Sequence, residues 1–190
     1  MTQALAINVP AEVTPGQWEV DPMHSEISFT IRHLMSKVRG RFDEYTSKVV
    51  IDGSEPLSST VEVEIAMASI NTNNEMRDNH VRGDAFNVEK YPTMTFRSTG
   101  IRTIDDEEFW LDGELTILGN ARPVSLKAEF LGVGSGLHGE TRIGFSAKTA
   151  ISRKEFGMDF NIPLPGGDKV VLSDEVKIAL DLQLVKSEIA

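Results

Sequence analysis

The chain has 190 residues, of which 40% are hydrophobic and 25% charged, a length and mixture typical of one soluble globular domain. Its formal net charge is -10, which disfavours nucleic-acid binding and stable docking on anionic membranes, because both need clustered Lys and Arg. The absence of cysteine excludes disulfides, thiolate catalysis and Cys-ligated metal centres.

The first residues carry no secretory signal, because a basic region followed by an apolar run is missing and the first basic residue is Arg32. No segment approaches the roughly 20 apolar residues of a membrane span. We therefore expect a cytoplasmic protein without stable membrane insertion. Residues 1–16 are predicted to be a flexible tail, and residues 17–187 a single β domain.

Alternation of apolar and polar side chains dominates the chain, and this period of two is typical of strands with one buried face. The alternating runs cover residues 27–31, 61–67, 93–97, 112–117, 124–130, 143–151 and 176–184. With short strands near residues 18–20 and 48–51, they predict about eight strands. Turn-forming pairs such as Asp52-Gly53, Asp105-Asp106 and Gly119-Asn120 separate the runs. Such a meander must bury its apolar face by closing into a barrel or by forming a sandwich.

Two segments do not alternate. Residues 73–86 begin with Asn73 and Asn74, either of which is a plausible N-cap, and predict a short helix near 74–82. Residues 153–172 form a long loop that contains Phe156, Met158 and Phe160. Because long loops are uncommon and often functional, we predict that residues 156–164 are a lid or wall of a cavity.

Motifs that would indicate catalysis or cofactors are weak. The glycines Gly134, Gly136 and Gly139 match G-x-G-x-x-G, but they lie between strands rather than between a strand and a helix. The four histidines lack the spacing of a zinc site, and no G-x-S-x-G elbow of a hydrolase is present. We therefore expect no cofactor and no metal.

Two polar clusters stand beside apolar strands, around Asp21 to Ser25 and at Arg77-Asp78. Each is explained either by local capping and turn chemistry or by a polar rim at a cavity mouth. A packed core and a ligand-filled barrel predict the same alternation, and eight strands are about the smallest number that can hold a small ligand. The residue pattern alone leaves both pairs of alternatives open.

Several stretches resemble the YceI-like family, often called polyisoprenoid-binding proteins. The resemblance runs from Trp18 to the last strand. It rests on WEVDPMHS (18–25) with ISF (27–29) and His33, GRF (40–42), ASINT (68–72), RDNHVR (77–82), FNVEKYPTMTF (86–96), DGELTILG (112–119) with RPV (122–124), and ISRKEFG (151–157).

The resemblance implies an all-β fold, an extended lipocalin-like barrel of eight antiparallel strands around a lipid-binding pore. It implies an isoprenoid quinone, polyprenyl compound or fatty-acid-like lipid as partner, and a homodimer. We then expect an apolar chain to be bound for storage, transport or sensing. The predicted ligand contacts are Phe29, Ile31, His33, Met35, Phe42, Met76, Phe86, Met94, Phe96, Leu115, Ile117, Phe145, Phe156, Met158, Phe160, Leu180 and Leu182.

The predicted headgroup contacts are His24, Asp78 and His80. We expect no catalytic residue. An alternative is an enzyme acting on a lipid-like substrate, with His24 or His80 as base and Asp21 or Asp78 as its orienting carboxylate. A packed structural domain is the third interpretation.

Overall fold

The computed structural model describes residues 9–161 and 172–187, which form one antiparallel sheet and a short α-helix. The strands are β1 (Gly16–Val20), β2 (Glu26–His33), β3 (Ser36–Phe42), β4 (Tyr45–Ile51), β5 (Thr60–Ala66), β6 (Ile70–Asn71), β7 (Thr93–Thr103), β8 (Glu108–Ile117), β9 (Asn120–Ser135), β10 (Thr141–Ser152) and β11 (Leu172–Lys186). Helix α1 (Glu75–His80) lies between β6 and β7.

Three pairs of these strands are halves of longer strands. A 3-10 turn at Pro22–His24 separates β1 from β2, and shorter breaks separate β3 from β4 and β5 from β6. Counting each pair once gives eight strands. The last strand, β11, pairs with both β1 and β2 and so closes the sheet on itself. The predicted eight-stranded antiparallel barrel is confirmed, and the sandwich is not formed.

The alternation of the sequence becomes the inner and outer faces of the barrel. Along β11, Ile178 and Leu180 are half-buried, while Lys177, Ala179 and Asp181 are exposed. Cross-strand partners share this orientation, since Val63 pairs with Phe96 and Phe96 with Leu115 across β5, β7 and β8. Burial of one face thus fixes the register, because a shift by one residue would turn every apolar side chain outward.

The two ends of the barrel carry different connections. At the helix end lie the β2–β3 turn, α1, the β8–β9 turn and the start of the β10–β11 connection, a 3-10 turn at Arg153–Phe156. At the opposite end lie residues 9–15, the β4–β5 connection, the β7–β8 turn and the β9–β10 hairpin. Residues 162–171 of the predicted long loop lie outside the described part of the chain.

Helix α1 begins at its predicted N-cap, because the Asn74 side chain accepts a hydrogen bond from the backbone N–H of Arg77 at 3.0 Å. It continues as a π-helical turn over Val81–Ala85. Within residues 9–161 and 172–187, no helix is both long and apolar enough to cross a bilayer.

Residues 9–15, which the sequence assigns to the tail, pack against the end opposite α1. Val13 is buried there with Trp18, Ile143 and Leu184. The Trp18 indole N–H donates to the carbonyl of Thr14 at 3.0 Å. This contact fastens the segment to the first strand.

Candidate ligand cavity

The barrel interior contains a cavity of about 260 Å³, near the roughly 300 Å³ at which small-molecule pockets begin. Apolar side chains from all eight strands face it. Representatives in strand order are Val20, Tyr45, Val63, Phe96, Leu115, Phe130, Phe145 and Leu182. No Lys, Arg or His is among the described residues that line it. The interior is therefore not a filled core, and the packed-domain interpretation does not describe it.

Two glycines help to keep this space open. A Cβ atom at Gly40 would overlap the ring of Phe29, and one at Gly113 would overlap the ring of Phe96. Each ring therefore lies close against the backbone of a neighbouring strand. Both glycines belong to the short motifs GRF and DGEL found in the sequence. We infer that they remove side-chain bulk where the two aromatic rings need to lie along the wall.

The helix end of the cavity is closed by a packed apolar cluster. Phe86 stacks on Phe42 with ring centroids 6.4 Å apart, and Phe42 in turn contacts Phe29 at 5.8 Å. Met67 and Phe156 are each 1% exposed within the same cluster. This cluster, Phe42, Met67, Phe86 and Phe156, is called the floor below.

Buried polar contacts hold the connections over the floor. Asp78, 4% exposed, accepts the backbone N–H of Thr72 between its two carboxylate oxygens and also accepts a hydrogen bond from the Thr72 hydroxyl. Arg77 donates to the Thr72 carbonyl at 2.8 Å, and Arg82 donates to the carbonyls of Ala68 and Ile70 at 2.7 and 3.0 Å. These bonds attach α1 and the π-helical turn to β6 and the turn before it.

A second buried cation fixes the start of the β10–β11 connection. Arg153 is 4% exposed and donates to the backbone carbonyls of Met158, Phe160 and Ser173. Phe156 is thereby held in the floor. The sequence predicts Phe156 in the wall of the cavity, but the structure places it beneath the cavity and outside the lining.

The cavity opens at the end opposite α1. Its rim consists of Val9 and Pro10 on one side, Pro56 and Ser59 of the β4–β5 connection, and the four acids from Asp105 in the β7–β8 turn to Glu108 at the start of β8. These residues define the mouth. The rim combines apolar and acidic side chains, and none of the three predicted headgroup residues belongs to it.

The His24 cluster lies outside the cavity. His24 Nδ1 is 2.7 Å from Asp21 Oδ2, and Arg142 Nη1 is 2.6 Å from the same oxygen. Burial opposes ionisation of Asp21, but hydrogen bonds from Arg142, His24 and the Met23 backbone outweigh it and lower its pKa to about 2. The carboxylate therefore remains charged and joins the kink between β1 and β2 to β10.

Comparison with known proteins decides the family. The profile of the YceI-like domain matches residues 18–184. A UPF0312 protein of Photorhabdus laumondii, plu2095, is 35% identical over 189 residues, which cover 98% of this chain and 91% of that protein. The chain belongs to the YceI-like family.

Solved structures of other proteins agree with this assignment. The YceI protein of Campylobacter jejuni is 34% identical and superposes with a TM-score of 0.71 over 83% of this chain and 91% of its own. A domain from Saccharophagus degradans, described as polyisoprenoid-binding and implicated in plant cell wall breakdown, shares the fold at 15% identity. Its TM-score is 0.64, over 90% of this chain and 98% of that domain.

Eight of the predicted ligand contacts of this YceI-like chain line the cavity: Phe29, Phe42, Met94, Phe96, Leu115, Phe145, Leu180 and Leu182. Three others, Phe86, Ile117 and Phe156, are buried in the cluster at the helix end, with Met158 packed against it. Ile31, His33 and Phe160 are half-buried outside the lining.

Met35 and Met76 lie on the surface, 94% and 84% exposed. Met35 lies in the β2–β3 turn, and Met76 occupies the outer face of α1. The expectation that they line the cavity is not met, because one lies beyond the end of the strands and the other points away from the barrel.

The polar motif RDNHVR (77–82) serves the structure of the helix end. Asp78 contacts Thr72 and not His80, and His80 instead lies 3.1 Å from Asp84 on the surface. A catalytic pair of His80 with Asp78 is therefore not formed. His24 does pair with Asp21, but it lies outside the lining of the cavity. Among residues 9–161 and 172–187, no three His, Asp or Glu side chains are placed to hold a metal ion.

Several lining residues were not among the predicted contacts. They include Tyr45, Val49, Ile101, Phe109, Leu111 and Phe130, together with the acidic rim of the mouth. Most of them lie on the inward face of a strand, so the alternation could have identified them. Nothing in the sequence indicates which end of the barrel is open.

Proposed function

We propose that this protein binds a long apolar isoprenoid or a similar amphiphilic lipid inside the barrel and holds it without chemical change. The observation that carries the proposal is the cavity itself, with an apolar wall, a closed floor and one mouth. Such a space suits a ligand that enters lengthwise and leaves its polar end at the mouth. The described polyisoprenoid-binding role of the Saccharophagus domain supports the choice of ligand class.

Burial alone can supply the affinity. Each buried CH₂ contributes roughly 0.8 kcal/mol, so a chain of about 15 carbons gives about 12 kcal/mol gross. Association costs of roughly 4–15 kcal/mol oppose this. At the lower costs expected for a preformed cavity, binding reaches the micromolar range or tighter. No specific polar contact is needed, which fits the lack of cations among the described residues of the lining.

Organic extraction of freshly purified protein, followed by mass spectrometry, tests the proposal. The extract should contain an isoprenoid or acyl lipid at close to one molecule per chain, because an empty apolar cavity forfeits dispersion contacts. Stripped protein should take up farnesol. If purified protein yields no lipid and stripped protein binds no farnesol, the proposal is wrong.

A matched pair of variants links the bound lipid to the cavity. Ala147 lines the cavity on β10, and Ala179 lies on the exposed face of β11. Ala147→Trp should fill the space and lower lipid content to less than about a third, at a packing cost of about 1–3 kcal/mol. Ala179→Trp should retain the wild-type content. Equal lipid in both variants would place the ligand outside the barrel.

A further inference from the structure

The four residues that rim one side of the mouth are consecutive acids, Asp105 to Glu107 in the β7–β8 turn and Glu108 at the start of β8. Asp105, Asp106 and Glu107 are exposed. The Asp105 carboxylate accepts hydrogen bonds from the backbone N–H groups of Glu107 and Glu108 at 2.9 and 2.7 Å. These bonds lower the pKa of Asp105 and keep it charged at neutral pH.

Two lysines near this end are engaged with other groups and lie outside the lining. Lys127 Nζ is 2.7 Å from Glu108 Oε1, which neutralises one of the four acids. Lys186 donates to the carbonyl of Pro15 at 2.8 Å. Inside the cavity, the hydroxyl of Tyr45 is used in a hydrogen bond to the carbonyl of Ser25 at 3.2 Å. Among the described residues that line the cavity and its rim, there is thus no Lys, Arg or His to receive an anionic headgroup.

We infer that the mouth selects isoprenoid ligands by the charge of the headgroup, accepting uncharged or cationic heads and rejecting carboxylates and phosphates. The inference rests on the proposed function, because it assumes that the apolar chain occupies the cavity. With the floor closed, the polar end of such a ligand must lie at the mouth. There an anion would stand beside three uncompensated negative charges and would lose water without gaining a partner.

The size of the effect follows from Coulomb's law. In water, a unit charge about 7 Å from a charged headgroup changes the binding affinity by a factor of roughly two to three. Three such charges together change it by roughly tenfold after screening by salt. The discrimination should shrink as ionic strength rises, since the carboxylates of this turn are exposed to solvent.

Three ligands that share the same hydrocarbon chain and differ in headgroup charge test the inference. They are farnesol, farnesylamine and farnesoic acid, each titrated into lipid-free protein at pH 7.5 by calorimetry. Farnesylamine should bind more tightly than farnesol, by up to about tenfold, and farnesoic acid about tenfold more weakly than farnesol. In Asp106→Asn/Glu107→Gln the difference between acid and alcohol should fall to within about threefold. The control Glu62→Gln/Glu64→Gln removes two exposed charges from the outer face of β5 and should leave the difference as in the wild type.

The outcomes separate this inference from the proposed function. If none of the three ligands binds, the proposed function fails, and the selectivity fails with it. If farnesol binds and farnesoic acid binds equally well, the cavity is a lipid site but the mouth does not select. The inference is also overturned if both double variants change the ratio equally, because net charge rather than the rim would then be responsible.

Discussion

The two ends of the barrel are built from different residues, although the same eight strands run between them. At the helix end, aromatic side chains are fully packed and charged side chains are buried in hydrogen bonds to the backbone. At the mouth, apolar side chains remain half-buried around a space, and the charges are exposed. The polar motif RDNHVR (77–82) therefore serves closure of one end, while the opening depends on residues at the other end that belong to no motif found in the sequence.

The largest difference between the ends is expected for aromatic truncation. Phe156 is 1% exposed in the floor, whereas Phe109 is half-buried and faces the cavity near the mouth. Phe156→Ala should lower the free energy of unfolding by about 3–5 kcal/mol, because it leaves a void in a packed cluster. Phe109→Ala should cost only about 1 kcal/mol, since less contact is lost.

Urea denaturation of lipid-free protein measures both changes, and the slope of each transition shows whether unfolding stays cooperative. Similar losses in the two variants would mean that the floor is no better packed than the mouth. The contrast between the ends would then be wrong.

The second largest difference in unfolding free energy is expected between carboxylates at the two ends. Asp78 accepts the N–H and hydroxyl of Thr72 while buried, and Asp106 is exposed at the rim. Asp78→Asn places an amide N–H against a backbone N–H, which should cost about 1–3 kcal/mol of unfolding free energy. Asp106→Asn should change it by less than about 0.5 kcal/mol.

The pair also separates the two interpretations of the RDNHVR motif. A structural motif predicts lower stability with unchanged farnesol affinity in the folded Asp78→Asn protein. A fall in affinity without loss of stability would instead make Asp78 a headgroup contact.

Much of the fold follows from local pattern. Ile27, Phe29 and the later alternating residues identify the strands, and Asn74 identifies the start of α1. Closure could be expected as well, because a sheet apolar on one face must cover that face. The breaks that divide three long strands, such as Pro22–His24, were harder to place, since a break and a turn use the same residue types.

The site was predictable only in part, for a physical reason. Periodicity tells which side of a strand an apolar residue occupies, so Phe96 and Leu182 were placed correctly in the interior. It does not tell whether facing side chains meet or leave a space, nor which end is sealed. Both depend on tertiary packing, as Phe42 with Phe86 illustrates. Because the sequence does not show which end is sealed, the acids of the β7–β8 turn could be interpreted only as turn residues.

The smallest expected effect concerns the polar cluster of Asp21, His24 and Arg142 outside the cavity, and it depends on pH. Asp21 has a folded pKa of about 2 against an ordinary value of 3.8, so folding favours its charged form. Its contribution is complete above about pH 5 and is lost as the pH falls through 3.8 towards 2. Since Asp21 and Arg142 are 14% and 21% exposed, solvent screening limits the contribution to roughly 1–2 kcal/mol.

Asp21→Asn should therefore destabilise the protein by this amount at pH 7 and by almost nothing near pH 2. Asp181→Asn, on the exposed face of β11, should be close to neutral at both values. Urea unfolding at pH 7, 4 and 2 measures the difference in unfolding free energy between each variant and the wild type. If this difference stays constant over the range for Asp21→Asn, the carboxylate acts by shape rather than by charge.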